Sequence, residues 1–297
     1  MSKYFSSPLK QTWLYQKIYL RSAYYRDKLL YKVNPKLSAN LIFKKAFGRN
    51  INWDNPQNII EKNIWMQFNT DTSLWTRCAD KFLVREYVKE CGCENLLNTL
   101  YGKWDSPDEI DYDMLPNQFV LKTNNACGTV IVVRDKSKLD KKATDKQLGK
   151  WLKTPFGYNC GQMHYLRIKP CIIAEEYLGD NLRDYKLFCF NGIPDSCLVT
   201  SDRNLNKHTY YADIFSIPEW RHMDNMSYHE YVGDIPKPKS LHMMMDACKK
   251  LASNIPFVRM DFYDVDGSAR IGEMTFTMGF GSLKDEFYNH LGSKLHL

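Results

Sequence analysis

Four side chains near the C-terminal end of the chain have types and a spacing that suit metal and phosphate chemistry. Arg259 and Asp261 are two residues apart, and so are Glu273 and Thr275. Because side chains two residues apart lie on the same face of a β-strand, each pair is predicted to share a face. Two carboxylates and a hydroxyl beside an arginine are predicted to hold Mg²⁺, which prefers hard oxygen ligands. An amphipathic hairpin whose charges only face water is the alternative that the pattern leaves open.

The element that must position these four residues is predicted to be a β-hairpin covering residues 257–281. Apolar and polar residues alternate along both halves of this segment. The dipeptide Asp266-Gly267 between the halves is a strong signal for a tight turn. The two halves are therefore predicted to be neighbouring antiparallel strands.

A second hairpin is predicted upstream, with Lys122 at its base. Residues 119–122 read as a strand, residues 123–128 as a turn of small polar residues, and residues 130–133 as an apolar strand. Backbone N–H groups in such a flexible tip can bind phosphate, and a lysine at its base can pair with it. The segment lacks the Walker pattern, so by itself it is a weak signal.

A second lysine, Lys81, lies in a predicted helix over residues 80–91. Lys81, Arg85 and Lys89 recur there at helical spacing and are predicted to share a face. A basic face in contact with water is the alternative reading of this spacing.

The rest of the chain predicts an α+β protein with antiparallel sheets. Further helices are predicted over residues 8–32 and 37–48, after residues 55–56 and 71–73, and over residues 140–153 and 240–253. Further strands are predicted over residues 171–178, 185–190 and 193–200, with a turn at Asn191-Gly192 joining the last two. A long loop is predicted from residue 201 to about residue 236.

Composition predicts a cytoplasmic protein with a packed core. The chain has 297 residues, of which 44% are hydrophobic. It contains no apolar run of the roughly 18 residues that a membrane span needs, and its first residues lack the apolar core of a signal peptide. The nine cysteines are odd in number and scattered, which favours reduced thiols.

The charge of the chain is unevenly distributed. Residues 1–50 contain eleven Lys or Arg and one acid, Asp27, and so carry +10, whereas the whole chain carries +7. Aromatic residues interleave with these basic residues. Such a surface is suited to an anionic membrane or a lipid-linked glycan, with a solvated helical face as the alternative. No nucleic-acid motif accompanies it, so nucleic acid is not an expected partner.

The order of these parts resembles the TupA-like ATP-grasp family, named for a teichuronopeptide biosynthesis protein, over roughly residues 40–292. The matching pieces are Asp80-Lys81, Val84–Val88, Trp104-Asp105, Leu115-Pro116, Phe119–Lys122, Asp135–Lys138, Glu175–Leu178, Asp184–Lys186, Asp202-Arg203, Pro256–Arg259, Asp261 and Gly272–Phe276. One departure lies at the tip of the first hairpin, Asn124–Gly128, which has one glycine fewer than the family pattern and a cysteine in place of a hydroxyl.

The resemblance implies an α+β ATP-grasp fold, in which two subdomains with antiparallel sheets clasp ATP. The implied divisions are a helical basic N-terminal region (1–75), an N-terminal subdomain with the phosphate-covering hairpin (76–178), and a C-terminal subdomain with the Mg²⁺ site (179–297).

The resemblance also assigns expected roles to individual residues around ATP. Lys81 and Lys122 are expected to contact the α- and β-phosphates. The hairpin tip is expected to cover the β- and γ-phosphates with Thr123, Asn124, Cys127 and Gly128. The expected adenine and ribose contacts are Glu175, Glu176, Tyr177, Leu178, Asp184 and Lys186.

The same resemblance places the metal and the catalytic cations. Asp261 and Glu273 are expected to hold Mg²⁺, with Thr275 as a weaker third ligand. Arg259, together with Lys122, is expected to stabilise the charge that develops during phosphoryl transfer. Arg203, in the long loop, is a candidate clamp for a substrate carboxylate, and an ordinary surface loop is the alternative.

The activity implied by the resemblance is that of an ATP-dependent carboxylate–amine ligase that works through an acyl phosphate. The expected substrates are a sugar acid or other carboxylate of a cell-surface polysaccharide and an amino acid or other amine. Two alternatives stay open: an ATP-grasp kinase, and a non-catalytic nucleotide-binding protein at the inner face of the membrane.

Overall fold

The structure is a computed structural model that describes residues 13–158, 161–180, 182–201, 208–213, 221–222, 236–280 and 283–297. Its helices are α1 (Trp13–Val33), α2 (Pro35–Phe47), α3 (Ile59–Asn69), α4 (Ser73–Ala79), α5 (Val84–Glu90), α6 (Lys141–Leu152), α7 (Leu241–Leu251) and α8 (Asp285–Lys294). Its strands are β1 (Leu100–Trp104), β2 (Phe119–Thr123), β3 (Val130–Val133), β4 (Ile172–Glu176), β5 (Asp184–Phe190), β6 (Ile193–Ser201), β7 (His208–Asp213), β8 (Arg221–His222), β9 (Val258–Val265) and β10 (Ser268–Thr275).

Helices α2 and α3 begin at residues whose side chains cap them. At α2, the Asn34 side chain accepts a hydrogen bond from Leu37 N at 2.9 Å, and Pro35 occupies the first turn. At α3, Asn58 and Glu61 form a reciprocal capping box. These side chains satisfy backbone N–H groups that have no partner within the helix, which is why the helices start there.

A four-stranded antiparallel sheet forms the smaller half of the molecule. Its strand order is β1-β4-β2-β3. One face packs on α6 and on the connecting segments around a core of its own, made of Ile110, Tyr112, Leu115, Phe119, Leu121, Val133, Leu148, Ile172 and Ala174. This sheet carries Lys122 and the segment that follows β4.

A six-stranded antiparallel sheet forms the larger half, with strand order β10-β9-β5-β6-β7-β8. Two of its hairpins close through turns whose residues have positive φ: Asn191 (+49°) with Gly192 (+79°), and Asp266 (+52°) with Gly267 (+84°). Positive φ at both central residues is the geometry of a type I′ turn, for which Asn-Gly and Asp-Gly are the favoured sequences. The structure confirms both hairpins predicted from these dipeptides.

The N-terminal helices and the large sheet share one hydrophobic core. Phe43 of α2, Ile60 of α3 and Trp75 of α4 belong to the same buried cluster as Phe188 and Met260 of the sheet. Helix α3 also packs on α8. Lys62 Nζ of α3 donates hydrogen bonds to two backbone carbonyls at the end of α8, those of Gly292 (2.9 Å) and Leu295 (2.7 Å). The predicted divisions at residues 75 and 178 stay predictions.

The predicted α+β architecture with two antiparallel sheets and a helical N-terminal region is confirmed, but one predicted helix was too long. Residues 81–83 form a turn, and α5 begins only at Val84. Lys81 therefore does not share a helical face with Arg85 and Lys89. The side chain of Arg85 is only 12% exposed because it turns inward to an ion pair with Glu175, whereas that of Lys89 is exposed.

The loop predicted after residue 201 was also wrong in part, because it contains β7 and β8. The β7 backbone pairs with β6 from Ser196↔Asp213 to Ser201↔His208. The long β6 strand offers unpaired backbone groups along its free edge, and a following strand satisfies them. Tyr210 and Tyr211, which fall within the predicted loop, therefore lie in a strand.

Candidate active site

The hairpin of β9 and β10 brings the two predicted carboxylates opposite each other. Asp261 pairs with Glu273 across the strands, and Arg259 pairs with Thr275. The register shifts by one residue between Ile271 and Glu273, which is a β-bulge. Directly opposed residues lie on the same face of a sheet, so all four side chains share one face.

Asp261 is the centre of an ion network on this face. Its two carboxylate oxygens accept hydrogen bonds from Arg259 Nε and Nη2, both at 2.6 Å, and one of them also accepts from Lys186 Nζ at 2.6 Å. Lys186 also bonds Asp184 on the same strand, and Arg259 Nη2 donates to Thr275 Oγ1 at 3.2 Å. The network therefore joins strands β5, β9 and β10.

The charge state of Asp261 follows from this network. The residue is 4% exposed, and burial by itself raises the pKa of a carboxyl. The charges and hydrogen bonds of Arg259 and Lys186 outweigh burial and hold the pKa of Asp261 below its usual value. Asp261 is therefore an anion at neutral pH.

Tyr165 is a member of the site that sequence reasoning missed. It lies in the short 3₁₀ helix Met163–Arg167, and its hydroxyl donates to Glu273 Oε1 at 3.2 Å. Burial, and then the Glu273 charge, raise the pKa of Tyr165 well above its usual value, so the group stays a hydrogen-bond donor. No motif or periodicity around residue 165 indicates this contact, because it joins positions 108 residues apart.

Lys122 of β2 is held by an acid on the neighbouring strand. Its Nζ lies 2.6 Å from Glu175 Oε2, and Arg85 Nη1 lies 3.3 Å from Glu175 Oε1. Arg85 also donates to the side-chain and backbone oxygens of Asn98, at 2.9 and 2.6 Å. Burial alone lowers the pKa of Lys122 and raises that of Glu175, but their mutual attraction reverses both shifts. Both groups are thus charged.

A cleft lies between the two sheets and brings Lys122 and Glu175 to the same space as Glu273. The small sheet and α5 contribute Lys122, Glu175 and Arg85 to its wall, and Lys81 lies beside them. The opposite wall contains Gly272 and Glu273 of β10. The structure therefore brings both predicted phosphate-binding lysines and one predicted metal ligand to a single cleft.

The tip of the β2–β3 hairpin is partly anchored. Asn124 exchanges backbone and side-chain hydrogen bonds with Cys171, and its amide donates to Lys169 O at 3.0 Å. Lys81 Nζ donates to Ala126 O at 2.6 Å. Of the tip residues expected at the phosphates, Thr123 and Asn124 are buried, whereas Cys127 and Gly128 are exposed at the apex.

A family model described as TupA-like ATPgrasp matches residues 61–296. The chain belongs to the TupA-like ATP-grasp family. This finding confirms the predicted family, and the matched range includes both sheets and every element of the cleft. A search of curated proteins finds no match in sequence.

Several solved structures of ligases are similar to this chain. An L-amino acid ligase from Bacillus licheniformis is 12% identical, with a TM-score of 0.50 over 84% of this chain and 57% of that one. A D-alanine–D-alanine ligase from Bacillus anthracis complexed with ATP is 16% identical, with a TM-score of 0.46 over 74% of this chain and 65% of the ligase. The ATP-grasp ligase PsnB, complexed with a minimal precursor, Mg and ADP, is 10% identical, with a TM-score of 0.43 over 94% and 73%. The chain thus spans less than two thirds of the first two ligases.

Four of the expected adenine and ribose contacts, Glu175 to Leu178, lie at the end of β4 and just after it. Glu176 ends the strand, and its carboxylate accepts hydrogen bonds from the backbone and hydroxyl of Thr99 at 3.0 and 3.1 Å. Residues 177–179 belong to neither a helix nor a strand. The backbone groups of Tyr177 and Leu178 therefore lie outside the sheet ladder, and their expected contacts with adenine stay predictions.

The donor set at the β9–β10 face fits Mg²⁺ held together with phosphate. Across the described ranges there is no cluster of three or more His, Cys, Asp or Glu side chains that could hold a metal alone. Mg²⁺ commonly takes only one or two carboxylates and completes its shell with water and phosphate oxygens. The opposed Asp261 and Glu273 provide that pair, and Thr275 adds a hydroxyl. Arg203 lies outside the described residues.

Proposed function

We propose that this protein is an ATP-dependent carboxylate–amine ligase that binds Mg-ATP in the cleft between its two sheets. The observation that carries the proposal is the joining of Lys81, Lys122 and Glu273 in that cleft. The lysines on one wall are suited to the phosphates. Glu273 on the other wall, with Asp261 opposite it across the strands, is suited to the metal between them. The family assignment supports the same reading.

The charged residues of the cleft and of the adjoining β9–β10 face each have a task in this proposal. Lys81 and Lys122 bind phosphate oxygens, and Arg259 neutralises charge that develops on the transferred group. Asp261 and Glu273 hold Mg²⁺, which when bound polarises the phosphates. To bind Mg²⁺, the carboxylate oxygens of Asp261 must contact the metal while they also accept hydrogen bonds from Arg259 and Lys186.

The proposed reaction has two steps. A substrate carboxylate oxygen attacks the γ-phosphorus of ATP, the bond to the bridging oxygen breaks, and ADP leaves with an acyl phosphate formed. An amine nitrogen then attacks the acyl carbon, the bond to the phosphate oxygen breaks, and the amine loses a proton. These steps need charge neutralisation and alignment more than a strong base, which the cations of the cleft are suited to provide.

We propose a sugar acid of a cell-surface polysaccharide as the carboxylate and an amino acid as the amine. The support is the family assignment and the net charge of +10 on residues 1–50, which suits an anionic glycan. The eight described cysteines are free thiols, which supports a cytoplasmic location.

The test is an ADP-release screen of the full chain with Mg-ATP, in which sugar acids are combined with amino acids. Mass spectrometry of each active mixture identifies the product. A ligase gives an amide and inorganic phosphate only when both substrates are present. A product that retains the phosphate would replace the ligase with a kinase, and nucleotide binding without ADP formation across the screen would overturn catalysis.

A further inference from the structure

The exposed face of the first two helices carries a row of apolar side chains. On α1, Tyr25, Leu29 and Val33 are 54%, 64% and 76% exposed, and they recur every four residues. On α2, Leu37 and Leu41 are 43% and 46% exposed at the same spacing. We call these five residues the α1–α2 apolar row. Residues four apart lie along one side of a helix, so each helix presents a continuous apolar strip.

Exposed cations interleave with the apolar row. Lys32 lies on the α1 strip between Leu29 and Val33, and Lys44 extends the α2 strip by one turn beyond Leu41. Further exposed cations on these helices are Arg26, Lys36 and Lys45. The single acid of residues 1–50, Asp27, is paired with Arg26. The surface therefore combines apolar side chains with an excess of positive charge.

The other faces of α1 and α2 pack against the rest of the protein. Ser38, Ala39 and Phe43 of α2 are buried, and Tyr24 and Tyr31 of α1 contact the Tyr158 ring at centroid distances of 6.2 and 5.3 Å. The helices are thus attached to the body by one side. Within the part of the chain that the structure describes, the α1–α2 apolar row is left facing solvent.

We propose that the α1–α2 apolar row docks this protein on the surface of an anionic lipid bilayer. Leucine, valine and tyrosine side chains enter the boundary between head groups and acyl chains, while Lys and Arg beside them pair with lipid phosphates. Among the described residues no helix is both long and apolar enough to cross a bilayer, so the contact is peripheral. This inference goes beyond the proposed reaction and does not depend on it.

Charge and apolar contact together distinguish an anionic bilayer from the other partners that could cover the α1–α2 apolar row. A second copy of this chain would oppose its own Lys32 and Lys44 with identical cations, which is repulsive. A nucleic acid satisfies the cations but leaves Leu29, Val33 and Leu41 without an apolar partner. An anionic bilayer satisfies both kinds of side chain.

The test is co-sedimentation of the full chain with vesicles of phosphatidylcholine alone or mixed with phosphatidylglycerol. The expected result is binding to the mixed vesicles only, weakened by salt. Leu29→Ser with Val33→Ser should lower this binding at least about tenfold through lost apolar burial. Lys32→Glu with Lys44→Glu should lower it by a similar factor through charge.

Matched controls exist elsewhere on the surface. Met114 and Ile193 are 82% and 61% exposed, and Met114→Ser with Ile193→Ser should leave binding unchanged. Lys142→Glu with Lys146→Glu reverses two exposed charges on α6 and should have a smaller effect than the α1–α2 reversal. Equal binding to neutral vesicles, equal losses in the controls, or a Leu29-dependent dimer without vesicle binding would each overturn the proposal.

Discussion

The Lys122 ammonium and the Glu175 carboxylate lie 2.6 Å apart on neighbouring strands of the small sheet. Arg85 reaches the other oxygen of the same carboxylate at 3.3 Å, so one acid neutralises two cations of the cleft. In the proposed complex with ATP, a bound phosphate would compete with Glu175 for Lys122. The ion pair thus connects the stability of the small sheet to the charge that is available for a ligand.

Glu175 pairs with two cations, whereas Lys122 pairs with one acid. This difference predicts unequal losses of stability for substitutions at the two positions. Glu175→Gln leaves Lys122 and Arg85 without their acid and should lower the free energy of unfolding by about 3–5 kcal/mol. Lys122→Ala leaves Glu175 paired with Arg85 and should cost about 1–3 kcal/mol. Urea denaturation measures both, and Lys249→Ala, which breaks an exposed pair with Asp246, should change stability by less than about 1 kcal/mol. A Lys122→Ala loss as large as that of Glu175→Gln would contradict the role of Arg85.

The proposed ligase makes a direct prediction for the two walls of the cleft. Lys122→Ala and Glu273→Ala should each lower ADP formation by at least about 10²–10³-fold, because each removes a charge that the phosphates or the metal need. Circular dichroism should show both variants folded. Lys146→Ala, on the exposed face of α6, is the matched control and should keep full activity. Wild-type turnover in either cleft variant would refute the assignment of that residue.

The hydrogen bond from Tyr165 predicts a specific effect on metal binding. Tyr165→Phe removes a donor at 3.2 Å from Glu273 and leaves the carboxylate less firmly oriented. Loss of one such bond, about 0.5–1.5 kcal/mol, corresponds to a rise of about 2–10-fold in the Mg²⁺ concentration needed for half-maximal nucleotide binding. Calorimetry with ATP at varied Mg²⁺ measures it without turnover. Tyr112→Phe loses a bond to Asp145, neither residue lines the cleft, and the Mg²⁺ dependence should not shift.

Buried His164 predicts a pH effect on stability. The ring is 1% exposed beside Trp75 and Phe276, and burial lowers the pKa of His164 to about 3. Between pH about 6.5 and 3 the unfolded chain therefore binds a proton that the folded chain does not, so stability falls as pH falls through this window. The expected contribution is up to about 1.4 kcal/mol per pH unit.

Denaturation in urea at a series of pH values tests this effect. His164→Leu should flatten the acid side of the stability profile, because leucine binds no proton in either state. His242→Gln, at an exposed position of α7, should leave the slope as in the wild type. An unchanged slope in His164→Leu would show that the ring is protonated in the folded protein.

Local patterns in the sequence determined much of this protein. Alternation and the Asp266-Gly267 turn predicted the β9–β10 hairpin, and Asn191-Gly192 predicted the β5–β6 hairpin. Asn34, Pro35 and Gly48 mark the ends of α2. These features depend on residues within a few positions of one another, so backbone preferences and the two-residue strand period are sufficient to predict them.

The tertiary structure alone determined which side chains of the site contact one another. The bulge at residue 272 set Glu273 opposite Asp261, and the turn at residues 81–83 separated Lys81 from the α5 face. The contacts of Tyr165 with Glu273 and of Arg85 with Glu175 join residues 108 and 90 positions apart. Such contacts depend on how the two sheets and their helices pack together. Packing is set by three-dimensional complementarity between side chains, so the spacing of residues along the chain does not predict these contacts.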